Sequence, residues 1–151
     1  MKGFILSVLI VFGLLFKGTL LAEDTNDEDS KPFAEANIVL QLGDDDANIQ
    51  ARVINVANNL IKHYGGPDFV NLEIVAYGPG ISLLYPDNPH AERISSLLVS
   101  DVKFIGCMNT VETITRSTGK KPDLIAATIP VKTGVAHLVE RAGQGYVVIR
   151  P

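Results

Sequence analysis

The chain of 151 residues has one cysteine, no tryptophan and three histidines. A single cysteine excludes an internal disulfide, a CxxC redox cycle and any multi-cysteine metal cage. The lack of tryptophan, with His63, His90 and His137 far apart in sequence, removes most aromatic-stacking and histidine-rich metal readings as well. Positive charge is scarce too: 13 Lys and Arg stand against 17 Asp and Glu, and the longest basic cluster is Lys120-Lys121. A surface that tracks nucleic-acid phosphates needs more than that. No glycine-rich phosphate loop, flavin motif or haem motif is present, so no cofactor is expected. With 46% hydrophobic and 20% charged residues, what remains is the composition of an ordinary globular domain.

The amino terminus departs from that composition. Lys2 precedes an apolar run from Phe4 to Phe16, and Leu20-Leu21-Ala22 leads into acidic Glu23-Asp24. Lys17 ends the run well short of the ~20 residues that a spanning helix needs. Residues 1–22 therefore read as a secretory signal, with a periplasmic mature protein as the expectation and an uncleaved, periplasm-facing anchor as the alternative. Residues 23–36 form an acidic, polar lead-in with little to bury. That leaves 37–151 as one domain.

Within that domain, strand-like and helix-like segments alternate. Strands are predicted at Asn37–Leu42, Asn71–Tyr77, Val102–Gly106, Leu124–Ile129 and Tyr146–Ile149. Helices are predicted at Ala47–Tyr64, Pro89–Ser100, from about Asn109 to Gly119, and Thr133–Ala142. Asp46 is placed to cap the first helix and Gly65-Gly66 to end it. Val53, Ile54, Ala57, Leu60, Ile61 and Tyr64 give that helix one apolar face. Asn109-Thr-Val-Glu112 has the form of a capping box. The resulting β-α-β-α-β-α-β-α-β order implies a three-layer α/β/α sandwich around a five-stranded, mainly parallel sheet.

In such sheets chemistry collects at the carboxyl ends of the strands. Tyr77, Cys107, Thr133, Lys132, His90 and the Asp44-Asp45-Asp46 triplet fall at that edge, and His63 falls at the opposite one. The triplet reads as a helix cap with solvated neighbours, since no second acidic cluster completes an oxygen shell for Mg²⁺. His137 lies on the fourth helix and reads as structural. Cys107 carries the sharpest signal. It stands where a buried strand hands over to a helix amino terminus, a position that stabilises a thiolate. Two readings follow: a nucleophilic thiol, or a small packed hydrophobe. A cysteine hydrolase would require His90 or His137 as its base.

VKFIGCMNT at 102–110 and GVAHLVERAGQGYVVIRP at 134–151 resemble segments of the DsrE/DsrF-like sulfur-relay superfamily, in its short, exported, single-domain branch. NIVLQLGDDD matches its opening strand and loop more loosely, and the likeness runs from Asn37 to Pro151. The resemblance implies a parallel α/β sheet, assembly into homotrimers or homohexamers, and a persulfide carried on Cys107. Asn109, Thr110, His90, Tyr77 and Thr133 would then line its pocket. A thiol-bearing donor or acceptor protein would be its partner, with no nucleic acid and no membrane after signal cleavage. The competing expectation is a non-catalytic oligomeric binding module in which Cys107 is only packed.

Overall fold

The computed structural model describes residues 31–151. The signal and most of the acidic lead-in lie outside the described residues. Five strands, β1 (Ala36–Leu42), β2 (Val70–Ala76), β3 (Lys103–Cys107), β4 (Thr128–Val131) and β5 (Val147–Ile149), form one sheet in the order β4-β3-β2-β1-β5. Every pairing is parallel. The helices are α1 (Ala47–His63), α2 (Ala91–Val99), α3 (Met108–Thr118) and α4 (Gly134–Gly143). This is the expected α/β class.

Strand alternation splits the core in two. Leu40, Ile74 and Phe104 point to one face and pack with Ile54 of α1, Leu97 of α2 and Val111 of α3. Val39, Val75 and Ile105 point to the other and meet Leu138 of α4 and Tyr146. Among the described residues, three helices therefore cover one face and α4 alone crosses the second. Topology requires that crossing. β4 and β5 lie at opposite edges, so the chain between them must traverse β3, β2 and β1. β2, at the centre, is buried at all seven positions, which accounts for its nearly continuous apolar sequence.

The first helix follows its sequence signals. The Asp46 carboxylate accepts the N–H groups of Asn48 (2.8 Å) and Ile49 (3.1 Å). At the other end Gly66 N–H reaches the Ile61 carbonyl and Gly65 N–H that of Lys62. Gly65 there takes φ +86°, which suits a residue without Cβ.

Three expectations are corrected. α2 begins at Ala91, not Pro89, because buried Asn88 organises a turn ahead of it. Its carbonyl accepts Ala91 N–H (3.0 Å), its Oδ1 accepts His90 N–H (2.8 Å), and its amide donates to Gln50 and Ser82. α3 begins at Met108 with Cys107 as its N-cap and no side-chain cap, so the capping box does not form. The fourth strand is Thr128–Val131, not 124–129. Leu124 and Ile125 pack against the core as irregular chain, and Pro130 is accommodated because β4 is an edge strand. A 3-10 segment, Gly78–Leu84, went unread between β2 and α2.

Candidate functional site

The site is assembled at the carboxyl edge, where three elements meet. β3 delivers Cys107, α3 starts on the next residue, and the first turn of α4 arrives alongside. Gly134 permits that approach. A Cβ there would lie 3.1 Å from Tyr77 Cβ and 3.2 Å from Cys107 Cβ, inside ordinary van der Waals contact. Without it, Gly134 N–H reaches the cysteine sulfur. Across the gap between the two helices, the Asn109 side chain donates to Thr133 Oγ1 at 3.0 Å.

Cys107 is 5% exposed. Burial pushes its thiol up, but hydrogen bonds from the Thr110 hydroxyl and from the N–H groups of Gly134, Thr110 and Asn109 prevail and hold it below the ordinary value. These donors sit at two helix amino termini, where N–H groups lack intrahelical partners. The Thr110 hydroxyl accepts Gly78 N–H at 2.9 Å, which leaves its own proton free for the sulfur. Asn109 N–H is shared with the Lys132 carbonyl (3.1 Å), in keeping with its place as the weakest of the four donors.

An open groove of about 620 Å³ runs along the outer side of Thr110. Gly78, Pro79, Ile81, Tyr85, Ile114 and Asp45 are among the residues that line it. Burial and the neighbouring Asp87 push the Tyr85 phenol up, so it stays a neutral hydroxyl there. The groove borders Thr110 and Asn109; Cys107 itself lies behind them.

Of the six residues expected at the site, five converge. Cys107, Asn109 and Thr110 share the β3–α3 junction, Thr133 is tied to Asn109, and Tyr77 packs against the Gly134 position. His90 does not join them. Its Nε2 lies 3.2 Å from the Ala47 carbonyl at the start of α1. His137 Nε2 is engaged by Glu73 at 2.8 Å. Neither histidine is hydrogen-bonded to Cys107, as the base of a cysteine hydrolase would be. No group of three or more metal-ligating side chains suited to holding an ion occurs among them either.

Sequence reasoning missed two features. Gly134 read only as a helix start. Glu73, alone among apolar neighbours in NLEIVAY, is 1% exposed and anchors a polar cluster with His137 and Arg141. Its signal was available: a lone carboxylate in a strand buried on both faces needs a buried partner. The i, i+4 spacing of His137 and Arg141 supplies two from one helix face.

The class is a three-layer α/β domain with a donor-ringed cysteine at the carboxyl edge of its sheet. No family model and no curated protein matches the chain. Among solved structures it is similar to the protein of unknown function MTH1491 from Methanobacterium thermoautotrophicum. Identity is 30% and the TM-score 0.68, over 78% of this chain and 100% of that one. The chain belongs to the same family as that archaeal protein.

Proposed function

We propose that the protein is a DsrE-like sulfur carrier that holds sulfane sulfur as a persulfide on Cys107. One observation carries the reading: the donors around the Cys107 sulfur hold its thiol below the ordinary value despite burial, and the thiolate is the attacking form. The resemblance of VKFIGCMNT to the sulfur-relay loop points the same way. In the loading step the Cys107 thiolate attacks the outer sulfur of a persulfide R–S–SH. A new S–S bond forms on Cys107, the donor's S–S bond breaks, and RS⁻ leaves and takes up a proton. In unloading, the thiolate of an acceptor protein attacks the outer sulfur and Cys107 departs as thiolate. No second cysteine exists to expel the sulfur within the chain, so it must leave to another molecule.

The 5% exposure of Cys107 favours a second reading, a binding module in which the cysteine is packed. Intact mass after incubation with polysulfide separates the two. The expected result is a gain of about 32 Da that dithiothreitol reverses and Cys107→Ser abolishes. No adduct, with Cys107 inert to alkylation in the folded protein, leaves the packed reading in place. The same measurement on protein recovered from the periplasm tests export: a mass beginning at Glu23 is expected, and one retaining residues 1–22 points to an anchor.

Self-assembly into a trimer or a dimer of trimers belongs to the same proposal. Val135 and Val139 on α4, Val147 on β5 and Val99 on α2 are exposed apolar side chains that a second copy could cover. Light scattering should return a multiple of the monomer mass at micromolar concentration; a monomer refutes the assembly.

A further inference from the structure

At its amino end α4 is tied to α3 through the Asn109 bonds to Thr133 Oγ1 (3.0 Å) and the Lys132 carbonyl (3.1 Å), but few apolar contacts hold the rest of the helix. Its buried residues are Gly134, which has no side chain, and Leu138, while Val135 and Val139 are 51% and 67% exposed. One apolar contact is non-directional and does not fix how far a helix slides along its axis. Further along the helix, directional contacts lie on the face turned toward β2. Glu73 Oε2 receives His137 Nε2 at 2.8 Å and Arg141 Nε at 3.3 Å. Glu73 Oε1 faces Arg141 Nη2 at 2.8 Å as an ion pair without a well-aligned hydrogen bond. Lys103 is the register partner of Glu73 on β3. Gly134 precedes His137 by less than one turn on the same helix, so the cluster and the sulfur contact are parts of one rigid element.

We propose that Glu73, clamped by His137 and Arg141, is a positioning residue for Cys107. It sets the axial register of α4 and so keeps the Gly134 N–H on the cysteine sulfur. The proposal rests on reading Cys107 as a stabilised thiolate. A hydrogen bond to sulfur from the first residue of a helix survives little axial displacement, because its strength falls steeply with angle and distance. Loss of the clamp therefore removes one donor from the thiolate while the β3–α3 junction keeps the rest. A purely structural ion pair, by contrast, would lower the unfolding temperature and leave the chemistry of the sulfur unchanged.

The test is the pH profile of alkylation of Cys107 in the full protein, where a single cysteine gives no background. Glu73→Gln is expected to shift the profile to higher pH and slow alkylation roughly tenfold below the thiol pKa, about one unit of displacement. His137→Leu should act in the same direction. His137→Gln, which keeps a side-chain N–H donor for the carboxylate, should restore the wild-type profile. Leu97→Ala, in the core on the opposite face, should lower the melting temperature without moving the profile. Wild-type profiles in folded Glu73→Gln and His137→Leu overturn the proposal, as does an equal shift in Leu97→Ala. If Glu73→Gln does not fold, the two His137 variants decide. Failure of the persulfide reading is seen separately, as absence of the sulfur adduct on a thiol whose profile still responds to the clamp.

Discussion

Gly134→Val should destabilise the protein by about 1–3 kcal/mol, the usual cost of forcing extra carbon into a packed contact. In the same variant the Cys107 thiol should titrate at higher pH. The first carbon of the new side chain would stand 3.1 Å from Tyr77 Cβ, 3.2 Å from Cys107 Cβ and 3.4 Å from Val75 Cγ1. Two of these neighbours are β-carbons bonded directly to backbone, in β3 and just past β2, and cannot rotate away, so α4 must lift. Lifting α4 withdraws the Gly134 N–H from the sulfur. That donor offsets burial, which acts alone to raise the thiol. Alanine grades the effect. Its smaller overlap is opposed by a gain in helix propensity of up to about 1 kcal/mol, so stability changes little while the thiol still moves upward. Denaturant midpoints at constant m-value report the first quantity, and alkylation rate against pH the second. A valine variant with the wild-type profile would show that the α4 amino terminus contributes nothing to the thiolate.

The same contact shows why the fold was more legible than the site. α1 announced itself through a six-residue apolar face, an aspartate cap and a glycine pair, all within 20 or so residues and all local in origin. β2 was legible because a central parallel strand is buried on both faces and its sequence is apolar on both phases. β4 lies further toward the carboxyl end than Leu124–Ile129 and takes in Pro130. An edge strand has no second partner awaiting its N–H, and edge position is a property of the whole sheet. Strand order is global in the same way: five apolar, parallel strands carry no local mark of which neighbours which.

Cys107 was found because it is the only chemistry-bearing residue type that occurs once and because it closes a strand. Its donors were harder to find. Asn109 and Thr110 follow it directly, but Gly134 lies in an element placed there by a crossing from one sheet edge to the other, and that crossing depends on the strand order. His90 was expected at the site because it starts the second helix at the correct edge. Edge alone does not give lateral position, and the Asn88 turn directs His90 toward the start of α1. His137 was read as structural and does bond within the protein. Its sequence neighbourhood gave no sign that the acceptor is a glutamate 64 residues away.

Glu73→Leu should destabilise the protein by about 3–5 kcal/mol, the cost of removing one member of a buried charge cluster. The leucine itself suits a central strand. The loss comes from His137 and Arg141, whose side chains are 13% and 14% exposed and would face an apolar surface without their carboxylate. Replacing all three, as Glu73→Leu with His137→Leu and Arg141→Met, should therefore regain most of the stability, since a packed apolar set often equals a buried ion cluster. Recovery should fall short by about 0.5–1 kcal/mol, because the Arg141 guanidinium also lies 4.9 Å over the Tyr146 ring. The triple variant separates holding α4 on the sheet from holding it in register. Apolar packing can do the first without direction, whereas the bonds from His137 and Arg141 to Glu73 act along fixed lines. A triple variant with near wild-type stability and a thiol still displaced to higher pH would show that the cluster serves Cys107. One that recovers both stability and the wild-type alkylation profile would reduce Glu73 to a packing residue.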